Sequence, residues 1–238
     1  GKDRVINMDR VRTGIEGLDD MLGGGLPKGH AVAVMGSFGT GKTTFGLQFL
    51  QQGLRNGERG RFISLEEDQE SILANAISYG WDLRQYVDGR QLAVIKLEPT
   101  DAKNSINRVR SELPELIRSF GASRIVVDSV SLLNMLYESD HDKRVNLFNL
   151  IQMMKGTGAT CLMTAEVQDQ NPNASRDGLI EYAVDGVIGL RYEEDRELGE
   201  VKLTVRVMKM RRIQHSRRVK PYSITDHGID VHSEADAF

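Results

Sequence analysis

The most constraining feature of the chain is the octet Gly36-Ser37-Phe38-Gly39-Thr40-Gly41-Lys42-Thr43, which fills every fixed position of the phosphate-loop template G-x-x-x-x-G-K-S/T. An apolar run, Ala31-Val32-Ala33-Val34-Met35, precedes it, and Thr44 to Leu50 continues it in a pattern that reads as helix. Buried strand, glycine turn and helix in that order is the context the motif requires. Glycines let successive backbone N–H groups turn inward around a phosphate chain, and the helix N-terminus adds partial positive charge. Gly36, Ser37, Phe38, Gly39, Thr40, Gly41, Lys42, Thr43 and Thr44 are therefore the candidate nucleotide contacts. Lys42 is expected on the β and γ phosphates, and the Thr43 hydroxyl on Mg²⁺.

Around this loop the pattern predicts an α/β fold: a mostly parallel, twisted sheet flanked by helices. Strands are expected over 31–35, 61–65, 92–97, 124–128 and 160–166, with helices over about 42–55, 68–79 and 142–155. A long amphipathic segment, 103–119, is expected to bend at Pro114. Ile15, Leu18, Met21 and Leu22 have helical spacing before the first core strand. Beyond 185 the character changes. Residues 185–190, 201–207 and 222–224 alternate rather than run apolar, which predicts antiparallel edge strands added to the parallel sheet. Residues 167–179 are Asn, Asp, Gln, Ser and Gly rich and read either as a mobile surface loop or as a segment ordered only by a partner.

With 238 residues, one large domain is expected over 1–238, with a flexible lead at 1–12 and a flexible tail at 232–238. The single cysteine, Cys161, allows no intrachain disulfide and fits a reducing, cytoplasmic compartment. No window reaches the roughly 18 continuous apolar residues of a membrane span. A net charge of −3, from 31 Lys plus Arg against 34 Asp plus Glu, argues against tight non-specific nucleic-acid binding.

The acids fall at strand ends. Asp128 closes R-I-V-V-D, the Walker B pattern, and is the second candidate for the metal; an Asp capping the next turn is the plainer reading. Glu66 and Glu67 follow the strand 61–65. Since adjacent strand residues face opposite ways, at most one is expected to face the γ-phosphate and polarise a water. Both are equally readable as acids at the start of the next helix. Glu166 ends another core strand and either senses the γ-phosphate, links the site to the loop 167–179, or is a plain strand-end carboxylate.

Near the C-terminus, Lys209 and Arg211 stand two apart on a strand and so share a face. There they form a cation pair for a phosphoryl transition state, with a charged hairpin edge as the plainer alternative. No aromatic residue lies between Lys209 and Lys220 for bases to stack on, which disfavours a nucleic-acid patch. His215, alone in that segment, is readable as packed, exposed or functional.

Taken together, T-G-I-E-G-L-D (13–19), G-G-L-P-K-G (24–29), the phosphate loop, L-E-E (65–67), N-A-I-S-Y-G-W-D (75–82), V-V-D-S-V (126–130), E-Y-A-V-D-G-V-I (181–188), K-M-R (209–211) and I-T-D-H-G-I (224–229) give the chain its likeness. It resembles the KaiC-like branch of the RecA superfamily, single-domain ATPases similar to each half of the cyanobacterial clock protein. The resemblance spans nearly the whole chain. It implies ATP and Mg²⁺ as ligands, Glu66 as the catalytic carboxylate and Glu67 as its supporting neighbour, with Ser78 touching the nucleotide. It also implies that Lys209, Met210, Arg211 and His215 reach the nucleotide of the adjacent subunit, with Thr225 and Asp226 near the base. Such sites imply a homo-oligomeric ring, most often a hexamer, in a regulatory or signalling role with an unidentified protein partner. A DNA-dependent RecA/RadA-like recombination or helicase-type motor is the alternative. One departure stands out: Arg212 and Ile213 occupy the places where the family commonly has Gly-Thr, so the contacts made across subunits are expected to be altered. No Ser-Thr pair is assignable as a site of autophosphorylation.

Overall fold

The computed structural model describes residues 9–98, 111 and 113–237. In chain order the described elements are β1 (Arg10–Val11), α1 (Glu16–Met21), β2 (Leu26–Pro27), β3 (Ala31–Met35), α2 (Lys42–Arg55), β4 (Gly60–Ser64), α3 (Gln69–Ile77), α4 (Arg84–Asp88), β5 (Leu92–Lys96) and α5 (Leu113–Phe120). They continue with β6 (Arg124–Asp128), α6 (Val130–Asn134), α7 (Asp140–Gly156), β7 (Thr160–Ala165), α8 (Ile180–Ala183), β8 (Gly186–Asp195), β9 (Glu200–Met210), β10 (Lys220–Thr225) and β11 (Gly228–Val231). Of the expected 103–119 segment, most lies outside the described residues; α5 is the part within them, and it contains Pro114.

The main sheet runs β11-β10-β9-β8-β3-β7-β6-β4-β5. From β8 to β5 every pairing is parallel, while β9, β10 and β11 add on antiparallel. The mostly parallel sheet with C-terminal antiparallel strands is thus as expected, with one correction. The stretch 185–190 is not an antiparallel edge. As β8 it lies parallel against β3, with Val32 opposite Gly186 and Met35 opposite Gly189, and only its other side is antiparallel to β9. Gly186 and Gly189 interrupt its apolar run because no side chain fits there: a Cβ on Gly186 would lie 2.5 Å from the Met210 sulfur.

The continuous apolar strands follow from burial on both faces. Val32 and Val34 of β3 join Phe45, Phe49, Phe62 and Val126 in one core beneath α2, whereas Ala31, Ala33 and Met35 join Ile63, Ile125, Met163, Leu150 and Ile151 in a second core beneath α7. Alternate residues of β3 thereby fix both layers and leave its carboxyl end free to turn into the phosphate loop. Gln48 of α2 ties the layers to the C-terminal hairpin: its amide donates to Ile229 C=O and Gly14 C=O, and its oxygen accepts from Ile229 N–H. Within the lead 1–12, Arg10 and Val11 pair with β2. In the tail, Lys202 and Lys220 donate to the carbonyls of Ala237 and Ala235. No helix among the described residues is long and apolar enough to cross a membrane.

Candidate functional site

The loop between β3 and α2 holds its shape through its own polar groups. Gly39 and Gly41 take φ of 85° and 94°, a region only glycine enters without cost, and a Cβ on Gly41 would lie 2.9 Å from Ile224 Cδ1. The fully buried Thr40 turns its hydroxyl back to donate to Ser37 C=O at 2.7 Å, and Tyr222 of β10 donates to Thr40 C=O at 2.6 Å. Burial pushes the Tyr222 phenol well above its ordinary pKa, so it stays a donor. The Thr44 hydroxyl lies 2.9 Å from the Tyr79 hydroxyl. Thr40 and Thr44 therefore spend their side chains on the scaffold.

Above the loop lies a cavity of about 510 Å³ at the carboxyl end of the parallel strands. It is lined by Phe38, Gly39, Gly41, Lys42, Thr43 and Thr44 from the loop and helix, by Ser64, Glu66 and Glu67 after β4, and by Asp128 of β6. Glu166 and Arg176 line it too, with Ile72, Ser129 and Leu132. Thr43 donates to Asp128 Oδ2 at 2.7 Å, and Thr164 donates to Asp128 Oδ1 at 2.6 Å, so both carboxylate oxygens are oriented. Lys42 is largely buried; its ammonium donates to Ser37 C=O at 3.1 Å and lies 3.2 Å from Glu166 Oε1. Glu166 is itself set by its N–H, which donates to Ser131 Oγ at 2.9 Å.

Both Glu66 and Glu67 line this cavity. The reason is that β4 stops at Ser64, so the two acids sit on a bend where period two no longer applies. Ser64 Oγ donates to Glu67 C=O at 2.6 Å and accepts from Glu67 N–H at 3.1 Å, shaping that bend. The capping of α3 falls to Asp68, which accepts from Ser71 N–H at 2.9 Å. Burial, with Asp128 and Glu66 adding repulsion, raises the pKa of Glu67. All the donors here are oxygens, a hydroxyl and carboxylates, which suits a hard cation such as Mg²⁺. No group of three or more metal-ligating side chains occurs among the described residues.

The remaining candidates lie outside this cavity. Lys209, Met210, Arg211 and His215 line a separate open cavity of about 620 Å³. β9 ends at Met210, so Arg211 lies one residue past the strand, and the two cations line the same cavity. Lys209 donates to the carbonyls of Glu181 and Val184 at 3.1 and 2.9 Å, while Arg211 approaches Asp185 at 3.5 Å. Burial, helped by the nearby Arg211 charge, lowers the Lys209 pKa. Asp185 anchors the segment: it accepts from Ala31 N–H and Lys155. Burial alone would raise its pKa, but these bonds hold it below the ordinary value.

Arg212 has φ of 68°, so the backbone there adopts the left-handed turn that glycine takes freely even though the glycine is gone. Ser78 ends α3 with its hydroxyl on Asn75 C=O. Thr225 and Asp226 form the β10–β11 turn, next to the Ile224 that packs on Gly41. Tyr79, Tyr222, Ile224 and Arg176 were not singled out by the sequence.

A parallel sheet whose first core strand feeds a glycine loop, with an acid from β6, two strands away, bonded to the loop's threonine, defines a phosphate-loop ATPase of RecA type. The family model described as the KaiC ATPase matches residues 11–236. The chain is 35% identical over 240 residues to a UPF0273 protein of Aeropyrum pernix, covering 95% of each. It is 34% identical over 229 residues to the circadian clock oscillator protein KaiC of Synechococcus elongatus, covering 93% of this chain but 44% of that protein, so it spans about half of the clock protein's length. Among solved structures, a KaiC-like protein from Pyrococcus horikoshii superposes with a TM-score of 0.82 at 31% identity, over 94% of this chain and 99% of that one. The chain belongs to the KaiC ATPase family, and membership implies nucleotide binding.

Proposed function

We propose that the chain is a Mg²⁺-dependent ATPase that acts as a homo-oligomeric ring, most often a hexamer, with nucleotide between adjacent copies. The observation that carries this is the 2.7 Å bond from Thr43 to Asp128 in a cavity also lined by Lys42, Glu66 and Glu67. It draws together a phosphate cradle, a metal-holding pair and a water-polarising acid. Thr43 and Asp128 hold the ion, which when bound offsets charge on the phosphate oxygens. Lys42 and the loop amides orient the phosphates, and Glu66, supported by Glu67, takes the proton of the attacking water. Glu67, with its raised pKa, is suited to sharing that proton. Lys209 and Arg211 lie outside their own chain's cavity, which favours their service to a neighbour's nucleotide, with Met210 and His215 beside them. Thr225 and Asp226 take the base side, and Ser78 touches the nucleotide. A regulatory or signalling role in the cytoplasm, exerted through a protein partner, fits a slow hydrolase of this kind.

The test is ATP turnover of wild type, Glu66→Gln and Arg211→Ala, with mass in solution measured with and without Mg-ATP. Turnover falling by about two orders of magnitude in Glu66→Gln supports the assignment. Turnover unchanged in both variants removes the assigned chemistry, and copies that stay single when saturated with nucleotide remove the ring.

A further inference from the structure

We propose that Arg176, on the loop 167–179, is a further phosphate-contacting residue of the same chain, directed at the terminal phosphate of the nucleotide; this rests on the reading of the cavity above as a nucleotide site. The cavity is lined by four carboxylates, Glu66, Glu67, Asp128 and Glu166, and by two cations, Lys42 and Arg176. A polyphosphate entering so acidic a space needs positive charge beyond the metal, since like charges at close range disfavour ionisation. Lys42 already has Glu166 at 3.2 Å and Ser37 C=O at 3.1 Å. Arg176 lines the same cavity with no side-chain hydrogen bond or ion pair among the described residues. It is therefore the cation whose bonding capacity is unspent.

The loop holds the backbone of Arg176 in place. Val167 bridges Ser175, and Gln168 N–H donates to Ala174 C=O at 3.0 Å. Arg176 N–H donates to Glu166 C=O at 2.8 Å, which fixes it to the residue that touches Lys42. On either side the neighbours are pinned elsewhere. Ser175 is buried and bonds the Glu181 carboxylate through both N–H and hydroxyl, while Asp177 accepts from Asn134 and faces Lys143 at 3.6 Å. With 175 and 177 tied back into the fold, Arg176 is the residue of this turn left to face the cavity. A guanidinium offers two parallel N–H bonds to a phosphate, which an ammonium does not.

The experiment measures affinity for Mg-ADP and for a non-hydrolysable Mg-ATP analogue with wild type, Arg176→Ala and Arg176→Lys. Contact with the terminal phosphate predicts that Arg176→Ala weakens the analogue about tenfold or more and leaves ADP unchanged. Arg176→Lys then recovers part of the loss. Equal analogue affinity in wild type and Arg176→Ala overturns this proposal alone. Equal loss for both nucleotides also overturns it, showing that Arg176 only shapes the loop. Wild type that binds neither nucleotide overturns the reading of the cavity and this proposal with it.

Discussion

Lys42 and Glu166 form an ion pair of 3.2 Å inside the phosphate cavity, with the lysine side chain 9% and the glutamate 26% exposed. A phosphate that takes up the Lys42 ammonium must do so beside the Glu166 charge, and the two anions repel.

Glu166→Gln keeps the size and the hydrogen-bonding capacity of the side chain while removing that repulsion. Affinity for ADP and for an ATP analogue is expected to rise about threefold or more. Titration calorimetry at fixed Mg²⁺ checks this, and unchanged or weaker binding counts against the placement of phosphate at Lys42.

Tyr222→Phe removes one hydroxyl and leaves the Thr40 carbonyl, in the core of the loop, without its donor at 2.6 Å. An unmet buried acceptor costs about 1–3 kcal/mol, so the urea midpoint should fall with an unchanged slope. Nucleotide affinity should fall with it, because Thr40 is part of the loop. Equal midpoints for the two proteins would show that the bond contributes nothing.

Asp19 gives the fold a pH dependence of unusual sign. Its carboxylate accepts from Thr13 N–H and from the Thr13 hydroxyl, yet burial dominates and pushes its pKa up from 3.8 to about 6. The folded state therefore holds this proton more tightly than the unfolded chain. Its contribution is complete below the unfolded value of 3.8 and is lost as pH rises through about 6. Between those limits it amounts to roughly 3 kcal/mol. In Asp19→Asn the difference from wild type in unfolding free energy should change across pH 4 to 6 and be flat above 7. A pH-independent difference would contradict the shift.

The core of the site was legible because one motif carries it: β3, the loop and α2 lie where the octet and its flanks put them, and Asp128 ends its strand as the R-I-V-V-D pattern implies. What escaped depended on contacts that no local pattern encodes. Tyr222 meets Thr40 across 182 residues and Tyr79 meets Thr44 across 35, so neither partner announces the other. The short helices Val130–Asn134 and Ile180–Ala183 and the strand Gly228–Val231 are too brief to display a period. β8 was misplaced because its glycines, needed for close approach by Met210 and Met208, weaken the apolar run that marks a parallel interior strand. Arg176 sits in a loop without periodicity, where only the hydrogen bonds around it show which way it faces.

The central claim is that the amides and Lys42 of the Gly36–Thr43 loop grip the phosphates of Mg-ATP. Titration calorimetry of Mg-ATP into wild type and into Lys42→Ala, with circular dichroism confirming that the variant is folded, tests it most directly. The account predicts one nucleotide per chain for wild type and an affinity at least about tenfold lower for Lys42→Ala. A folded Lys42→Ala that binds Mg-ATP as tightly as wild type, or a wild type that does not bind it, would contradict the account.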